Sequence, residues 1–168
     1  MAQPRNSCAL TPSPTLTWCG ANARPEATRQ SFDAQGFYKT GDVALVDERG
    51  LFHVVDRVKE LIKVKGFQVA PAELEAALLG CEQIADAAVI GLPSAKHGEV
   101  PKAFVVRQAG AEGLTAEQVS AYLRGRVAEY KEVAAEHVEF VEAVPKSAAG
   151  KILRKELRKL EEARAAEV

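Results

Sequence analysis

Short β-prone runs come in pairs around turn-forming residues, and this pairing constrains the fold more than any single position does. Val43-Ala44-Leu45-Val46 and Leu51-Phe52-His53-Val54-Val55 flank Asp47-Glu48-Arg49-Gly50. Acidic residues and glycine suit a tight reversal, so a β-hairpin is predicted. Leu61-Ile62-Lys63-Val64 and Phe67-Gln68-Val69 flank Lys65-Gly66 in the same way, which predicts a second hairpin. Pro71 then takes the first-turn position of a helix running to about Gly80, with Leu74, Ala77 and Leu78 on one face. Glu73 and Glu75 fall early in that helix, where the macrodipole favours anions.

Ala87 to Leu92 and Ala103-Phe104-Val105-Val106 read as buried strands at the sheet centre. The polar segment Ser94 to Glu99 separates them, and Pro93 and Pro101 are expected to limit their ends. Thr115-Ala116-Glu117-Gln118 has the pattern of a capping box, with Val119, Tyr122 and Leu123 following at helical spacing. Val138-Glu139-Phe140-Val141 reads as a third core strand, and Ile152 to Glu162 as a closing helix with Leu153, Leu157 and Leu160 inward. Helices and strands mix without strict alternation. The fold class is therefore α+β: a small domain with a short, mainly antiparallel sheet flanked by helices, preceded by a β-hairpin.

With 168 residues, 47% hydrophobic and 27% charged, the chain has enough apolar material for one modest core. The formal net charge of -1 offers no global field for nucleic acid or a membrane surface, so any anion must be met locally. Cys8, Cys19 and Cys81 are odd in number and contain no C-x-x-C pair, which argues against a disulfide framework, a zinc site and a thioredoxin-like centre. A reducing, cytoplasmic setting suits them. The apolar run Ile84 to Leu92 contains Asp86 and is too short to span a bilayer. Met1 to Asn22 holds three prolines, several Ser and Thr and no acidic residue, and is read as a disordered or weak extension. A transit peptide is the weaker alternative, since Arg5 is its sole basic residue.

Several anion-suited residues fall in the connections. Lys151 closes the stretch Pro145-Lys146-Ser147-Ala148-Ala149-Gly150-Lys151, a mobile loop between a strand and a basic helix. An ammonium on a flexible stem there suits phosphate or carboxylate, and Gly150 removes bulk that would keep the backbone from a ligand. A Walker A loop is excluded, because Pro145 stands where its first Gly belongs and Ile152 replaces the Ser or Thr. Thr40-Gly41-Asp42 offers a carboxylate after a glycine turn, suited to two adjacent hydroxyls or to an ordinary Asx turn. Arg57 offers a planar five-donor fork that Asp56 is expected to neutralise. By the two-residue period of a strand, Lys63 and Lys65 share one side, as an anion site or as a solvated protective edge. His53, His97 and His137 have no partner at metal-ligand spacing, and no metal site is assigned.

Gly36-Phe37-Tyr38-Lys39-Thr40-Gly41-Asp42, then Val55-Asp56-Arg57 onward through Lys59-Glu60-Leu61-Ile62-Lys63-Val64-Lys65-Gly66-Phe67-Gln68 to Glu75, then Val144-Pro145 through Gly150-Lys151-Ile152-Leu153-Arg154, closely resemble the adenylate-forming superfamily. The nearest branch is that of 4-coumarate:CoA ligase, firefly luciferase and acyl-CoA synthetases, and the resemblance covers about Arg24 to Leu160. It implies that Lys151 is the adenylation lysine and that, after a domain rotation, Lys63 and Gln68 face the adenylate. It further implies that Asp42 and Arg57 hold the nucleotide, that Lys59 is the hinge, and that Lys65, Gly66 and Phe67 line the path of CoA. The cofactors implied are ATP/AMP, Mg2+ and coenzyme A, with a carboxylic acid as substrate and no nucleic-acid partner.

The family's large N-terminal domain has no counterpart before Arg24. Residues 23–58 are then the end of that domain and 59–168 the mobile lid. The 168 residues are expected to be inactive alone, as a truncated gene product or one with an altered start. A non-catalytic interaction or regulatory module is the alternative. A nucleic-acid surface on Lys151, Arg154, Lys155, Arg158 and Lys159 is disfavoured by the interspersed Glu156, Glu161 and Glu162.

Overall fold

The structure, a computed structural model, describes residues 9–10 and 24–166. Apart from Ala9–Leu10, the proposed extension over residues 1–22 lies outside the described residues. The chain divides into two compact units, Met1–Lys59 and Glu60–Val168.

In the first unit, β1 (Ala9–Leu10) pairs antiparallel with β2 (Tyr38–Lys39), and α1 covers Pro25–Gln30. The predicted hairpin is β3 (Asp42–Val46) against β4 (Phe52–Arg57). Its turn is built by Asp47, whose Oδ1 accepts the backbone N–H groups of Arg49 and Leu51, both at 2.9 Å. Gly50 completes the reversal at φ 80°.

In the second unit, β5 (Ile62–Val64) and β6 (Phe67–Val69) form the second hairpin, and α2 spans Pro71–Leu79. The long strands β7 (Ile84–Ser94) and β8 (Gly98–Arg107) pair along their whole length. The remaining elements are α3 (Ala116–Leu123), β9 (Val138–Phe140) and α4 (Arg154–Ala166). The sheet runs β6-β5-β8-β7, with β9 parallel to β8. Gly98 pairs with both Ser94 and Val64, and Ala103 with both Val89 and Val138, so one edge of β8 carries β7 and the other carries β5 and then β9.

Both faces of this sheet are covered, which explains why β7 reads as a near-continuous apolar run. Ala87, Val89, Ala103 and Val105 pack with Leu74 and Leu78 of α2 and Val119 and Leu123 of α3. The alternate residues Ala88, Ile90 and Phe104 pack with Val144 and with Leu157 of α4. The capping box forms as expected: the Gln118 side chain accepts the Thr115 N–H at 2.9 Å, and Thr115 Oγ1 accepts the Gln118 N–H. Gly80 ends α2, and a Cβ there would meet the Tyr122 hydroxyl at 3.1 Å, so glycine lets α3 approach.

Four expectations are corrected. The strand holding Ala87 to Leu92 is at the edge of the sheet and not at its centre, which is β8. Pro93 and Pro101 lie inside β7 and β8 rather than at their ends, paired with Glu99 and Gly91. Their missing N–H groups do no harm, because β7 is an edge strand and Pro101 sits where the second edge of β8 passes from β5 to β9. The last helix starts at Arg154, because Ile152 bridges to Lys146 and Leu153 donates its N–H to the Pro145 carbonyl at 2.8 Å. Leu160 does not turn inward but is 52% exposed.

Beside Leu160 the helix meets the sheet through charge. Lys102 Nζ lies 2.7 Å from Glu161 and 2.8 Å from Glu139, and Arg164 Nη1 lies 2.8 Å from Glu139. Burial pushes the Glu139 carboxyl up, but hydrogen bonds from Arg164 and Lys102 outweigh it and hold the group below its ordinary value of 4.5. A carboxylate depressed in the folded state stabilises the fold above its unfolded pKa, and that contribution is lost as pH falls through the folded value. Glu139→Gln is therefore expected to destabilise the protein at pH 7, with the difference from the parent shrinking below about pH 4.5. Urea unfolding at several pH values checks this, and a difference that does not change with pH contradicts it.

Candidate functional site

Lys151 closes a hydrogen-bonded turn within the loop that joins β9 to α4. Lys146 and Ile152 form an antiparallel bridge. Inside it, Ser147 donates its N–H to the Lys151 carbonyl at 2.8 Å, and Gly150 donates to the Ser147 carbonyl at 2.8 Å. Gly150 adopts φ +77°, and a Cβ there would meet nothing within 4 Å. Its glycine is thus required by backbone conformation, with open space beside it. Nothing among the described residues pairs with the Lys151 ammonium, which stands exposed at the end of a fixed backbone.

Both flanks of this turn are tied to β7. On one side Lys146 Nζ lies 2.6 Å from Asp86. On the other, Arg154 grips Glu75 of α2 with Nη2 at 2.7 Å and Nε at 3.2 Å. Glu75 is only 6% exposed, and its Oε1 also accepts the Val89 N–H at 2.9 Å. Arg158, one turn further along α4, pairs with Glu60 at 2.7 Å. Two of the five cations weighed for a nucleic-acid surface are therefore committed to internal ion pairs.

The second cluster is the β5–β6 hairpin. Lys63 and Gln68 are direct cross-strand partners, so their side chains share a face, and the ladder closes at Val64 and Phe67. Lys65 and Gly66 have φ values of 49° and 85°, the pattern of a two-residue type I′ turn. This corrects the expectation that Lys63 and Lys65 share one side of a strand: Lys65 belongs to the turn, where the period of two does not apply. The tip is anchored by the Lys65 N–H, which donates to the His97 carbonyl at 2.8 Å. The Lys63 N–H donates to Glu99 Oε2 at 2.7 Å. Phe67 is 54% exposed, and its ring stacks on Tyr130 at 4.5 Å. A groove of about 460 Å³ runs beside this hairpin, lined among others by Lys65, Lys96, His97, Tyr130 and His137.

In the first unit, Asp42 and Arg57 are brought together by the β3–β4 register, with Arg57 Nε 3.5 Å from Asp42 Oδ1. Gly41 at φ 76° makes the turn before Asp42, and its carbonyl accepts the Val58 N–H at 2.9 Å. Lys59 is the last residue of this unit and lies in a single 3₁₀ turn, Val58–Glu60. Among the described residues no group of three or more His, Cys, Asp or Glu could hold a metal ion, and no helix is long and apolar enough to cross a membrane.

Glu75, Glu99 and Tyr130 were not singled out for a site by sequence reasoning, and Arg154 was weighed only for a nucleic-acid surface. Glu75 flanks the apolar face of α2 and reads as an ordinary acid early in a helix, and its partner stands 79 positions away. No local pattern links the two.

Residues 73–151 match the family described as AMP-binding enzyme C-terminal domain. The 4-coumarate–CoA ligase-like 9 of Oryza sativa subsp. japonica is 52% identical over 139 residues, covering 83% of this chain and 24% of that protein. The 4-coumarate–CoA ligase 1 of Narcissus pseudonarcissus is 50% identical over 134 residues, covering 80% and 24%. Among solved structures, ATP-bound MatB from Rhodopseudomonas palustris superposes with a TM-score of 0.76 at 36% identity, covering 82% of this chain and 27% of that one. The chain thus spans about a quarter of the length of these relatives.

A side chain in the left-handed region costs a non-glycine residue about 1 kcal/mol, less for Asn. Lys65→Asn is therefore expected to raise stability by about 0.5–1 kcal/mol in urea unfolding, while removing the ammonium from the turn. A loss of stability would contradict the turn geometry described.

Proposed function

We propose that this chain, whose residues 73–151 match the AMP-binding enzyme C-terminal domain family, is the C-terminal part of an ATP-dependent acid:CoA ligase. The reaction has two steps. A carboxylate oxygen attacks the α-phosphorus of ATP, pyrophosphate leaves, and acyl-adenylate forms. The thiol of coenzyme A then attacks the acyl carbonyl, and AMP leaves as the thioester forms.

The observation that carries this reading is the Lys151 ammonium, unpartnered among the described residues, at the end of a hydrogen-bonded turn. In the first step two anions meet, and negative charge builds on the oxygens around phosphorus. A positioned cation that contacts both the carboxylate and an α-phosphate oxygen offsets their repulsion and stabilises that charge. Such a group is effective only if it needs no ordering at the moment of reaction, which the hydrogen bonds of residues 146–153 favour. In the second step the Lys63 and Gln68 side chains, neighbours across β5 and β6, face the adenylate. Lys65, Gly66 and Phe67 at the hairpin tip line the pantetheine path. The exchange between steps turns the second unit about Lys59, consistent with the division of the chain after that residue.

Asp42 accepts from the ribose hydroxyls, and Arg57, paired with it, supports ribose and phosphate. Mg2+ accompanies ATP in the complete enzyme, and none of the described residues is assigned to it. The acyl pocket and most of the adenine pocket belong to a large adenylation domain, without which these 168 residues do not turn over. Phe52 and Val54, 62% and 66% exposed on β4, are apolar surface that the rest of such a domain would cover.

The test is a fusion of this chain to the large domain of a 4-coumarate–CoA ligase relative. Lys151→Ala is expected to lower acid-dependent pyrophosphate exchange by about 10²–10³-fold, with an unchanged circular dichroism spectrum. It should leave CoA transfer from supplied acyl-adenylate nearly intact. Undiminished pyrophosphate exchange would refute the proposal.

A further inference from the structure

A carboxylate supports each of the two lysine-bearing segments: Glu75 takes Arg154, and Glu99 takes the Lys63 N–H. We propose that Glu75 and Glu99 are positioning residues with separate tasks: Glu75, through Arg154, sets the Lys151 turn, and Glu99 sets Lys63. What the lysines do rests on the function proposed above; how they are held does not.

Glu75 is buried and accepts the Val89 N–H and two N–H groups of Arg154. Arg154 is the first residue of α4 and lies three residues after Lys151, with a side chain only 12% exposed. A charged pair removed from water keeps its geometry only when its hydrogen-bonding capacity is met, and here both sides are engaged. The other flank of the turn returns to the same strand through Lys146 and Asp86, so Lys151 projects from a backbone pinned on both sides to β7.

Glu99 serves the hairpin differently. The β5–β8 ladder is a single register pair, Val64 with Gly98, and at Lys63 the Glu99 carboxylate takes the N–H in place of a strand carbonyl. Room for that carboxylate is made on the neighbouring strand: a Cβ at Gly91 would lie 3.3 Å from the Glu99 carboxyl carbon and 3.1 Å from an Ile62 methyl. Glu99 therefore fixes the backbone from which Lys63 projects, on the side of β5 away from β6.

The two anchors share no residue, and this predicts a double dissociation. Hydrogen exchange on the full 168-residue chain is the direct test. Glu75→Gln is expected to speed exchange about tenfold or more at Ser147, Gly150, Lys151 and Leu153 while leaving Lys63, Lys65 and the β8 amides within about twofold. Glu99→Gln is expected to do the reverse, at Lys63 and Lys65 only. Arg154→Lys and Glu99→Asp, which keep the charges, serve if either glutamine variant fails to fold, and should show the same split at smaller size. Equal loosening of both segments, or no change in a variant's own segment, overturns the proposal.

The fused enzyme supplies a second readout. Glu75→Gln should lower kcat of adenylate formation about tenfold with KM for ATP little changed, and Glu99→Gln should do so for thioester formation. If exchange splits as described but the two half-reactions do not, the positioning stands and the assignment of the lysines to the two steps fails.

Discussion

A buried carboxylate at the free edge of a strand organises the second unit of this protein. Glu75 stands beside β7, the terminal strand of the sheet, and supplies an acceptor to an edge N–H that would otherwise be unsatisfied. It simultaneously binds Arg154, the first residue of the helix on the opposite face. Helices α2 and α4 cover different faces of the sheet, so this contact wraps the edge and sets where α4 begins. Truncating one partner would strand a buried charge, a far larger penalty than the net worth of the pair.

From that anchor the geometry of the Lys151 turn follows. Because α4 starts at Arg154 and Lys146 returns to β7, the intervening residues close into a bridge with a left-handed glycine, and the lysine projects outward. The hairpin bearing Lys63 depends on a different contact, on the other side of the sheet's central strand, and it is tied to the β7–β8 turn rather than to α4. A single rigid sheet thus presents two cationic groups through independent supports. For a proposed enzyme that changes which of them meets the substrate, this arrangement lets a rotation of the whole body replace internal rearrangement.

Local chemistry was legible in the sequence, and non-local chemistry was not. Asp47 and Gly50 announce their turn, Pro71 its helix start, and Thr115 with Gln118 a capping box, because each acts within four residues. The three long motifs announced the family, now matched over residues 73–151. Pro93 and Pro101 misled, since whether a strand tolerates proline depends on which edge is paired, and that is a property of the assembled sheet. Leu160 misled because a charge network beside it holds the sheet face where apolar periodicity predicts core. Lys65 followed strand period on paper, but a two-residue turn removes it from the strand. The Glu75–Arg154 pair spans 79 positions and had no local signal at all.

The central claim is that two lysines on one body serve two successive steps. Single-turnover kinetics of the fused enzyme carrying Lys63→Ala test it most directly, by following acyl-adenylate and acyl-CoA together in rapid-quench samples. Acyl-adenylate should form at the parent rate and accumulate to about one equivalent per enzyme, with thioester appearing slowly afterward. Slow adenylate formation followed by transfer to CoA at the parent rate would contradict the claim.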